Sequence, residues 1–251
     1  MLLSHEHKFI YVKGRKVAST SIEISLSPFC GPSDIVTPIT PADELHRLSI
    51  GGKSQNFSHD TQLEARYLQL VRDRKFKEAG NIGVHSPHPS RFYNHMPLAD
   101  IEARLTLPYN EYSVVISERN PYAKIISLAN MRLSFSDYRG EAMENAVDDI
   151  RRSIGDLFHN DRFRIVRNIS LYQTKNPYKD LVVIRQENLA SDLAQLFSQL
   201  GLGKGLDHWP HAKKGPANQR LDPAIMFTRE QLDLVNLEFA DEFETFGYER
   251  I

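Results

Sequence analysis

Short apolar segments alternate along this chain with longer segments of helical period, and this alternation constrains the fold more than any other feature. The short segments are rich in β-branched or aromatic residues, which is typical of strands. We predict strands at residues 9–12, 82–85, 112–117 and 181–185. Strands that alternate with helices favour an α/β fold, with a mostly parallel central sheet flanked by helices.

The length of 251 residues is sufficient for one domain, and we expect a single domain over residues 1–251. One stretch interrupts the alternation. Residues 28–57 contain four prolines and the pair Gly51-Gly52, so we expect a long irregular excursion there. Excursions of this kind often cover a ligand site.

Charge, cysteine content and hydropathy exclude several classes of function. The net charge of −1 gives no reason to expect nucleic acid as a partner. Cys30 is the only cysteine, which excludes an internal disulfide and a cysteine-based zinc site. No apolar run reaches the roughly 18 residues that cross a bilayer, and residues 1–6 do not form a signal peptide. We therefore expect a soluble, cytoplasmic protein without a membrane span.

Basic and hydroxyl residues cluster at the junction of the first strand and the following helix. The chain reads K-F-I-Y-V-K-G-R-K-V-A-S-T-S-I-E from Lys8 to Glu23. A helix N-terminus favours an anion through its unpaired N–H groups and its dipole, and Lys16 adds a positive charge. The segment is not a Walker A sequence, which requires G-x-x-x-x-G-K-[ST]. From these residues alone, a phosphate-binding turn and a solvated basic loop both remain open.

A second anion-binding pattern follows the third predicted strand. The chain reads S-E-R-N-P-Y-A-K-I-I-S from Ser117 to Ser127, with Asn120 as helix cap before a proline at the first helical position. A planar guanidinium suits bidentate phosphate binding, so Arg119 and Ser127 are candidates for a phosphate site. The alternative is an arginine that caps a strand and a serine on a helix surface.

The two segments together resemble the nucleotide-binding motifs of the sulfotransferases. Y-V-K-G-R-K-V-A-S-T-S is similar to their phosphosulfate-binding loop, and R-N-P-Y-A-K-I-I-S is similar to their 3′-phosphate motif. The resemblance implies a three-layer, P-loop NTPase-like sulfotransferase fold. It also implies 3′-phosphoadenosine 5′-phosphosulfate (PAPS) as co-substrate, with no metal. Lys16 would then contact the leaving oxygen, while Arg119 and Ser127 would hold the 3′-phosphate.

The resemblance extends to a late basic loop, H-W-P-H-A-K-K-G, which in the family closes over the nucleotide. The cofactor-binding residues that it implies are Arg15, Lys16, Ala18, Ser19, Thr20, Ser21, Arg119, Ser127, Lys213, Lys214 and Gly215. Residues 28–57 match nothing in the family, and we expect them to set the choice of acceptor. The acceptor would be a hydroxyl of a small molecule or of a carbohydrate.

Transfer of a sulfuryl group also requires a base that takes the proton of the acceptor hydroxyl. Histidine suits this role at neutral pH because its ordinary pKa is about 6.5. The resemblance favours His85, at the end of the second predicted strand, with His88 as second choice. Metal ligation by His85, His88 and His95 is the rival interpretation, but no carboxylate or cysteine lies at a familiar spacing.

Two other classes of function remain open from the sequence. A P-loop-type small-molecule kinase would use the same strand, loop and helix, but it should carry a Walker A glycine pattern. A nucleotide-binding module without catalysis would keep the cofactor site and show no turnover. The oligomeric state is not predicted.

Overall fold

A computed structural model of the protein describes residues 1–135, 146–203 and 221–251. Its contacts divide the chain into two compact units. Unit 1 comprises the described parts of Met1–Gly14, Ala18–Ser117 and Leu171–Ala212. Unit 2 comprises the described parts of Arg15–Val17, Glu118–Ser170 and Lys213–Ile251. The expectation of a single domain over residues 1–251 stays a prediction.

The described residues form five strands and eleven α-helices. The strands are β1 (Leu2–Ser4), β2 (Phe9–Val12), β3 (Ile35–Val36), β4 (Ser113–Glu118) and β5 (Asp180–Arg185). The helices are α1 (Ser19–Leu26), α2 (Pro41–Ser49), α3 (Thr61–Arg72), α4 (Phe76–Asn81), α5 (Leu98–Glu102), α6 (Pro121–Phe135), α7 (Ala146–His159), α8 (Leu189–Gln199), α9 (Pro223–Met226), α10 (Arg229–Glu238) and α11 (Ala240–Phe246). None of these helices combines the length and the apolar character that a membrane span requires.

The sheet of unit 1 confirms the α/β class, but it is mixed rather than mostly parallel, so that part of the prediction is wrong. Its strand order is β3-β1-β2-β4-β5. β2 runs parallel to β4, whereas β1 runs antiparallel to both β2 and β3. Only residues 5–8 connect β1 to β2, and a connection this short can join only antiparallel neighbours.

The strand predicted at residues 82–85 is also absent from the structure. This segment follows α4 and forms turns, in which the Gly83 N–H donates to the Gly80 carbonyl at 3.1 Å. Gly83 has φ +71°, a conformation that glycine adopts without a steric penalty. Val84 packs in a cluster with Phe57 and Tyr67. The apolar run therefore serves packing against helices rather than strand pairing.

Part of the stretch at residues 28–57 is regular, against the expectation of an irregular excursion. It contains β3 and α2, and α2 begins at Pro41. Proline is favoured at the first helical position, where its missing N–H would have no partner inside the helix. The proline that suggested an irregular segment therefore marks the start of a helix.

Unit 2 has a hydrophobic core of its own, built from its helices. Tyr122 and Ile125 of α6 pack with Ile150 and Ile154 of α7, and with Phe239. All five side chains are fully buried. The second of the two motif segments lies at the start of α6, so this packed core holds its residues in place.

Candidate anion-binding site

The first motif segment begins at the end of β2, and its first basic residue is buried. Lys13 is only 2% exposed, and its Nζ lies 2.6 Å from Glu23 Oε2 in α1. Glu23 is fully buried and also lies 3.6 Å from the guanidinium of Arg47. Lys13 therefore anchors the segment inside unit 1, and the solvated-loop interpretation does not hold for this residue.

Two residues of the segment have left-handed backbone conformations. Lys16 has φ 64° and Ala18 has φ 58°, values that residues other than glycine adopt rarely. Such outliers cluster at ligand sites, where the surrounding structure holds them in place. The side chain of Lys16 is half-buried.

The N-terminus of α1 is not capped by a side chain of the described residues. Its cap position is Ala18, which has no side-chain oxygen, and Ser19 is the first helical residue. Helices usually begin after serine, threonine, aspartate or asparagine, which accept hydrogen bonds from the first-turn N–H groups. An alanine at this position leaves that role to another acceptor, such as an anion.

Arg15–Val17 of the first motif segment belong to unit 2, where Asn168 forms hydrogen bonds with the backbone of Arg15. The Arg15 N–H donates to Asn168 Oδ1 at 2.8 Å, and Asn168 Nδ2 donates to the Arg15 carbonyl at 3.1 Å. Asn168 is fully buried. Both polar atoms of its amide are thus used to fix the backbone just before Lys16.

The second motif segment is held by a buried group of three charged residues in unit 2, Lys124 with Glu118 and Glu242. Lys124 Nζ lies 2.8 Å from Glu118 Oε2 and 2.6 Å from Glu242 Oε2. All three side chains have no exposed surface. We call this group the Lys124 cluster. It fixes the turn that carries Arg119, because the Arg119 N–H donates to Glu118 Oε2 at 3.1 Å.

The Lys124 cluster also reaches the first segment through Glu242 and Asn168. Glu242 Oε1 accepts hydrogen bonds from the backbone N–H groups of Asn168 and Ile169. A continuous chain of contacts therefore runs within unit 2 from Arg15 to Arg119. Asn168 and Glu242 were not predicted as site residues, because no local motif surrounds them in the sequence.

The start of α6 agrees with the prediction for the second segment. Asn120 Oδ1 accepts from the Tyr122 N–H at 3.0 Å, and Pro121 is the first helical residue. Ser127 lies two turns further along α6 and is half-buried, as is Arg119. The structure places Arg15, Lys16, Arg119 and Ser127 in unit 2.

The remaining predicted cofactor residues fall elsewhere. Ala18, Ser19, Thr20 and Ser21 belong to unit 1, at the start of α1. Lys213, Lys214 and Gly215 lie outside the described residues.

His85 lies in unit 1 and has the environment of a neutral histidine. Its ring meets the ring of Tyr67 edge-on, with centroids 6.0 Å apart. Within the described residues, its buried Nδ1 has no hydrogen-bond partner. Burial and the positive charge of Lys13 lower the pKa of His85 below its usual value. Although the strand that was to end at His85 is absent, the side chain retains a property that a general base requires.

The other two histidines of this region have different surroundings. His88 is exposed, and its Nδ1 accepts from the Ser90 N–H at 3.3 Å. His95 is half-buried, and its Nδ1 lies 3.0 Å from the carbonyl oxygen of Lys13. Because a carbonyl only accepts, the His95 Nδ1 must carry the proton, which leaves Nε2 as the basic nitrogen. His95 therefore joins the candidate bases through a contact that the sequence did not indicate.

Comparison of the chain with protein-family models, curated proteins and solved structures finds no match.

Proposed function

We propose that this chain is a PAPS-dependent sulfotransferase, which transfers a sulfuryl group from PAPS to a hydroxyl of an acceptor. The observation that carries the proposal is the chain of contacts in unit 2. It joins the backbone of Arg15, beside Lys16, to the backbone of Arg119 through Asn168 and the Lys124 cluster. Two motif segments about a hundred residues apart are thus fixed on one scaffold.

The proposed binding of PAPS in unit 2 uses positive charge and a hydroxyl group. Lys16 would lie against the bridging oxygen of the phosphosulfate. Arg119 and Ser127 would hold the 3′-phosphate, since a guanidinium can donate two parallel hydrogen bonds to one phosphate. These residue types suit a ligand with two separated anionic groups.

The proposed reaction is an in-line displacement at sulfur. A bond forms between the acceptor oxygen and sulfur, while the bond between sulfur and the bridging oxygen breaks. The electron pair of the broken bond remains on the 5′-phosphate, where Lys16 would stabilise the charge. The proton of the acceptor hydroxyl would pass to a histidine. His85 is our first choice because its lowered pKa favours the neutral form, and His88 is the second.

A cytoplasmic location and a carbohydrate acceptor are further parts of this proposal, and the expectation that no metal is needed stays a prediction. They rest on the sequence alone and need their own experiments. Screening of acceptors with labelled PAPS would test the acceptor class directly.

Thermal unfolding with added nucleotide tests the cofactor. At a ligand concentration about 100 times the dissociation constant, binding adds roughly 2.7 kcal/mol to the free energy of unfolding. For a chain of this size we expect adenosine 3′,5′-bisphosphate to raise the Tm by roughly 5 to 10 °C without metal. ATP with magnesium should not. The reverse result would replace the sulfotransferase by a kinase.

Two variants test the assigned roles. Lys16→Ala should abolish turnover while the fold stays intact, and Lys175→Ala, at an exposed position outside residues 28–57, is the matched control. Asn168→Ala should weaken bisphosphate binding, because it releases the backbone of Arg15. Retained turnover in Lys16→Ala would remove Lys16 from the reaction. Binding of the bisphosphate without turnover on any acceptor would favour a nucleotide-binding module.

A further inference from the structure

A pocket in unit 1 has the composition of a site for an anionic, hydroxyl-bearing ligand. Its volume is about 530 Å³, within the range of roughly 300–1,000 Å³ that is usual for small-molecule sites. The lining residues that matter for recognition are Arg91, Arg104, Asn56, Ser58, Ser90 and Phe92. None of them belongs to the two motif segments.

The wall of the pocket that carries Arg91 is held in place by backbone and side-chain hydrogen bonds. The Phe92 N–H donates to the Phe57 carbonyl at 2.8 Å, and Ser58 and Arg91 form an antiparallel bridge. From the other side, the guanidinium of Arg104 donates to the carbonyls of His88 and Arg91. The pocket is therefore preformed, which lowers the entropic cost of binding.

The positive charges of this pocket have no carboxylate partner in the part of the chain that the structure describes. Among the described residues, neither Arg91 nor Arg104 forms an ion pair with a carboxylate. The Nε of Arg91 is buried and has no hydrogen-bond partner there. One carboxylate contacts the lining. Glu64 accepts from the N–H groups of Asn56 and Ser58, at 3.1 and 2.8 Å.

The two arginines differ in the hydrogen-bond donors that remain for a ligand. Arg104 already donates to two carbonyls and lies 5.9 Å from the ring centroid of Phe92, so it supports the wall. The guanidinium of Arg91 does not support the wall in this way. A buried donor without a partner costs free energy unless a ligand accepts its hydrogen bond. Its planar guanidinium matches a carboxylate or a phosphate, whose oxygens accept two hydrogen bonds side by side.

We propose that this pocket binds a small sugar-like molecule that carries one oxyanion, either a sugar acid or a sugar phosphate. The oxyanion lies against Arg91. Asn56 Nδ2 already donates to the carbonyls of Pro32 and Asp34, so its Oδ1 is left to accept from a ligand hydroxyl. The hydroxyl of Ser58 accepts from the Asp60 N–H, and that of Ser90 lies 3.1 Å from His88 Nδ1, and each can form a further hydrogen bond with a ligand hydroxyl. A simple anion would not use these groups. This inference does not depend on the proposed sulfuryl transfer.

Titration calorimetry with four probes tests the proposal. Glucuronate carries a carboxylate, glucose 6-phosphate carries a phosphate, glucose carries neither, and inorganic phosphate lacks the sugar. We expect at least one of the two charged sugars to bind about 10-fold or more tightly than both glucose and inorganic phosphate. The stronger of the two identifies the oxyanion. Equal binding of glucose, equal binding of inorganic phosphate, or no binding of either charged sugar would overturn the proposal.

Variants of the full chain locate the binding. Arg91→Gln should weaken the charged sugar at least 10-fold, and Arg91→Lys should weaken it less, because the charge is retained without the planar fork. Arg66→Gln removes the same charge from an exposed position on α3, and it should bind as the wild type does. Unchanged Tm values would show that the variants are folded. Unchanged affinity in Arg91→Gln, or an equal loss in Arg66→Gln, would contradict the assignment.

Discussion

Each unit contains a buried ion-pair cluster beside one motif segment, and the two clusters differ in their balance of charge. In unit 1, the Glu23 cluster brings Lys13, Arg47 and the Met1 amino group to Glu23, and Arg47 also pairs with the buried Glu44 at 2.9 Å. In unit 2, the Lys124 cluster brings a single ammonium to two carboxylates, Glu118 and Glu242. Glu23 is thus surrounded by several positive groups, whereas the single ammonium of Lys124 is shared by two carboxylates.

As a result of this difference, the pKa values of Glu23 and Glu118 are shifted in opposite directions. Burial alone would raise the pKa of Glu23, and the charge of Lys13 is the largest of the effects that together outweigh it. The amino group of Met1 and the guanidinium of Arg47 add to that effect, and the pKa falls to about 2. In the other cluster burial dominates and, with the charge of Glu242, raises the pKa of Glu118, although Lys124 acts against it. Similar residues therefore lower the pKa of one carboxyl group and raise that of the other.

Removal of the single cation from the Lys124 cluster should have the largest effect. Lys124→Met leaves two buried carboxylates facing each other, and we expect the free energy of unfolding to fall by about 3–5 kcal/mol. Urea-induced unfolding at pH 7 measures the loss. The matched control is Arg229→Met, which breaks an exposed pair with Asp233 and should cost less than about 1 kcal/mol. A loss as small as in the control would show that the cluster does not stabilise unit 2.

Removal of the Glu23 carboxylate should come second. Glu23→Gln removes the carboxylate that lies 2.6 Å from the buried Lys13, while Arg47 keeps its pair with Glu44. A pKa near 2 corresponds to about 3 kcal/mol of stabilisation at pH 7. Because the native pKa is lowered, this contribution is complete above the unfolded-state pKa of about 4.3 and is lost as the pH falls towards 2. The stability difference between wild type and variant should therefore shrink below pH 4. A difference that stays constant down to pH 3 would contradict the assignment.

The fold could be predicted from the sequence where a segment is long enough to show its period. The strands near residues 9–12, 112–117 and 181–185 were found because their apolar runs have the ordinary length of a strand. β2 and β4 are buried throughout, whereas β5 is partly exposed. β1 and β3 have only three and two residues, too few to show an alternation. The mixed sheet follows from β1, so the same short strand explains both the missed element and the wrong orientation.

The site could be predicted only where its residues are neighbours in the sequence. Arg119, Asn120 and Ser127 belong to one local sequence pattern, and they were predicted from it. Asn168 and Glu242 act through contacts with residues more than 70 positions distant, and such contacts have no local signature. Lys124 falls inside the same local pattern, but its partner Glu242 lies 118 positions away in the sequence.

Neutralisation of one of the two carboxylates in the Lys124 cluster should have a small effect. Glu118→Gln leaves one ammonium with one carboxylate, so we expect the free energy of unfolding at pH 7 to change by less than about 1 kcal/mol. Because the native pKa of Glu118 is raised, ionisation costs the wild type stability as the pH rises above about 4.3. The variant does not titrate there. Its stability relative to the wild type should therefore increase from pH 4 to pH 7, and a decrease would show that Glu118 is ionised without penalty.

The smallest predicted effect is that of Lys13, a member of the Glu23 cluster, on the pKa of His85. The charge of Lys13 is the second cause, after burial, of the lowered pKa of His85. Lys13→Met should therefore raise that pKa, which should still stay below the usual value because burial remains. NMR titration of the His85 ring protons measures the change. Lys53→Met, which removes the same charge from an exposed position, is the control and should leave the pKa of His85 unchanged.

If His85 is the base of the proposed reaction, the acidic limb of the pH–rate profile should move to higher pH in Lys13→Met alone, since only the neutral ring accepts a proton. An equal shift in both variants would mean that net charge, and not the buried Lys13, sets the titration of His85.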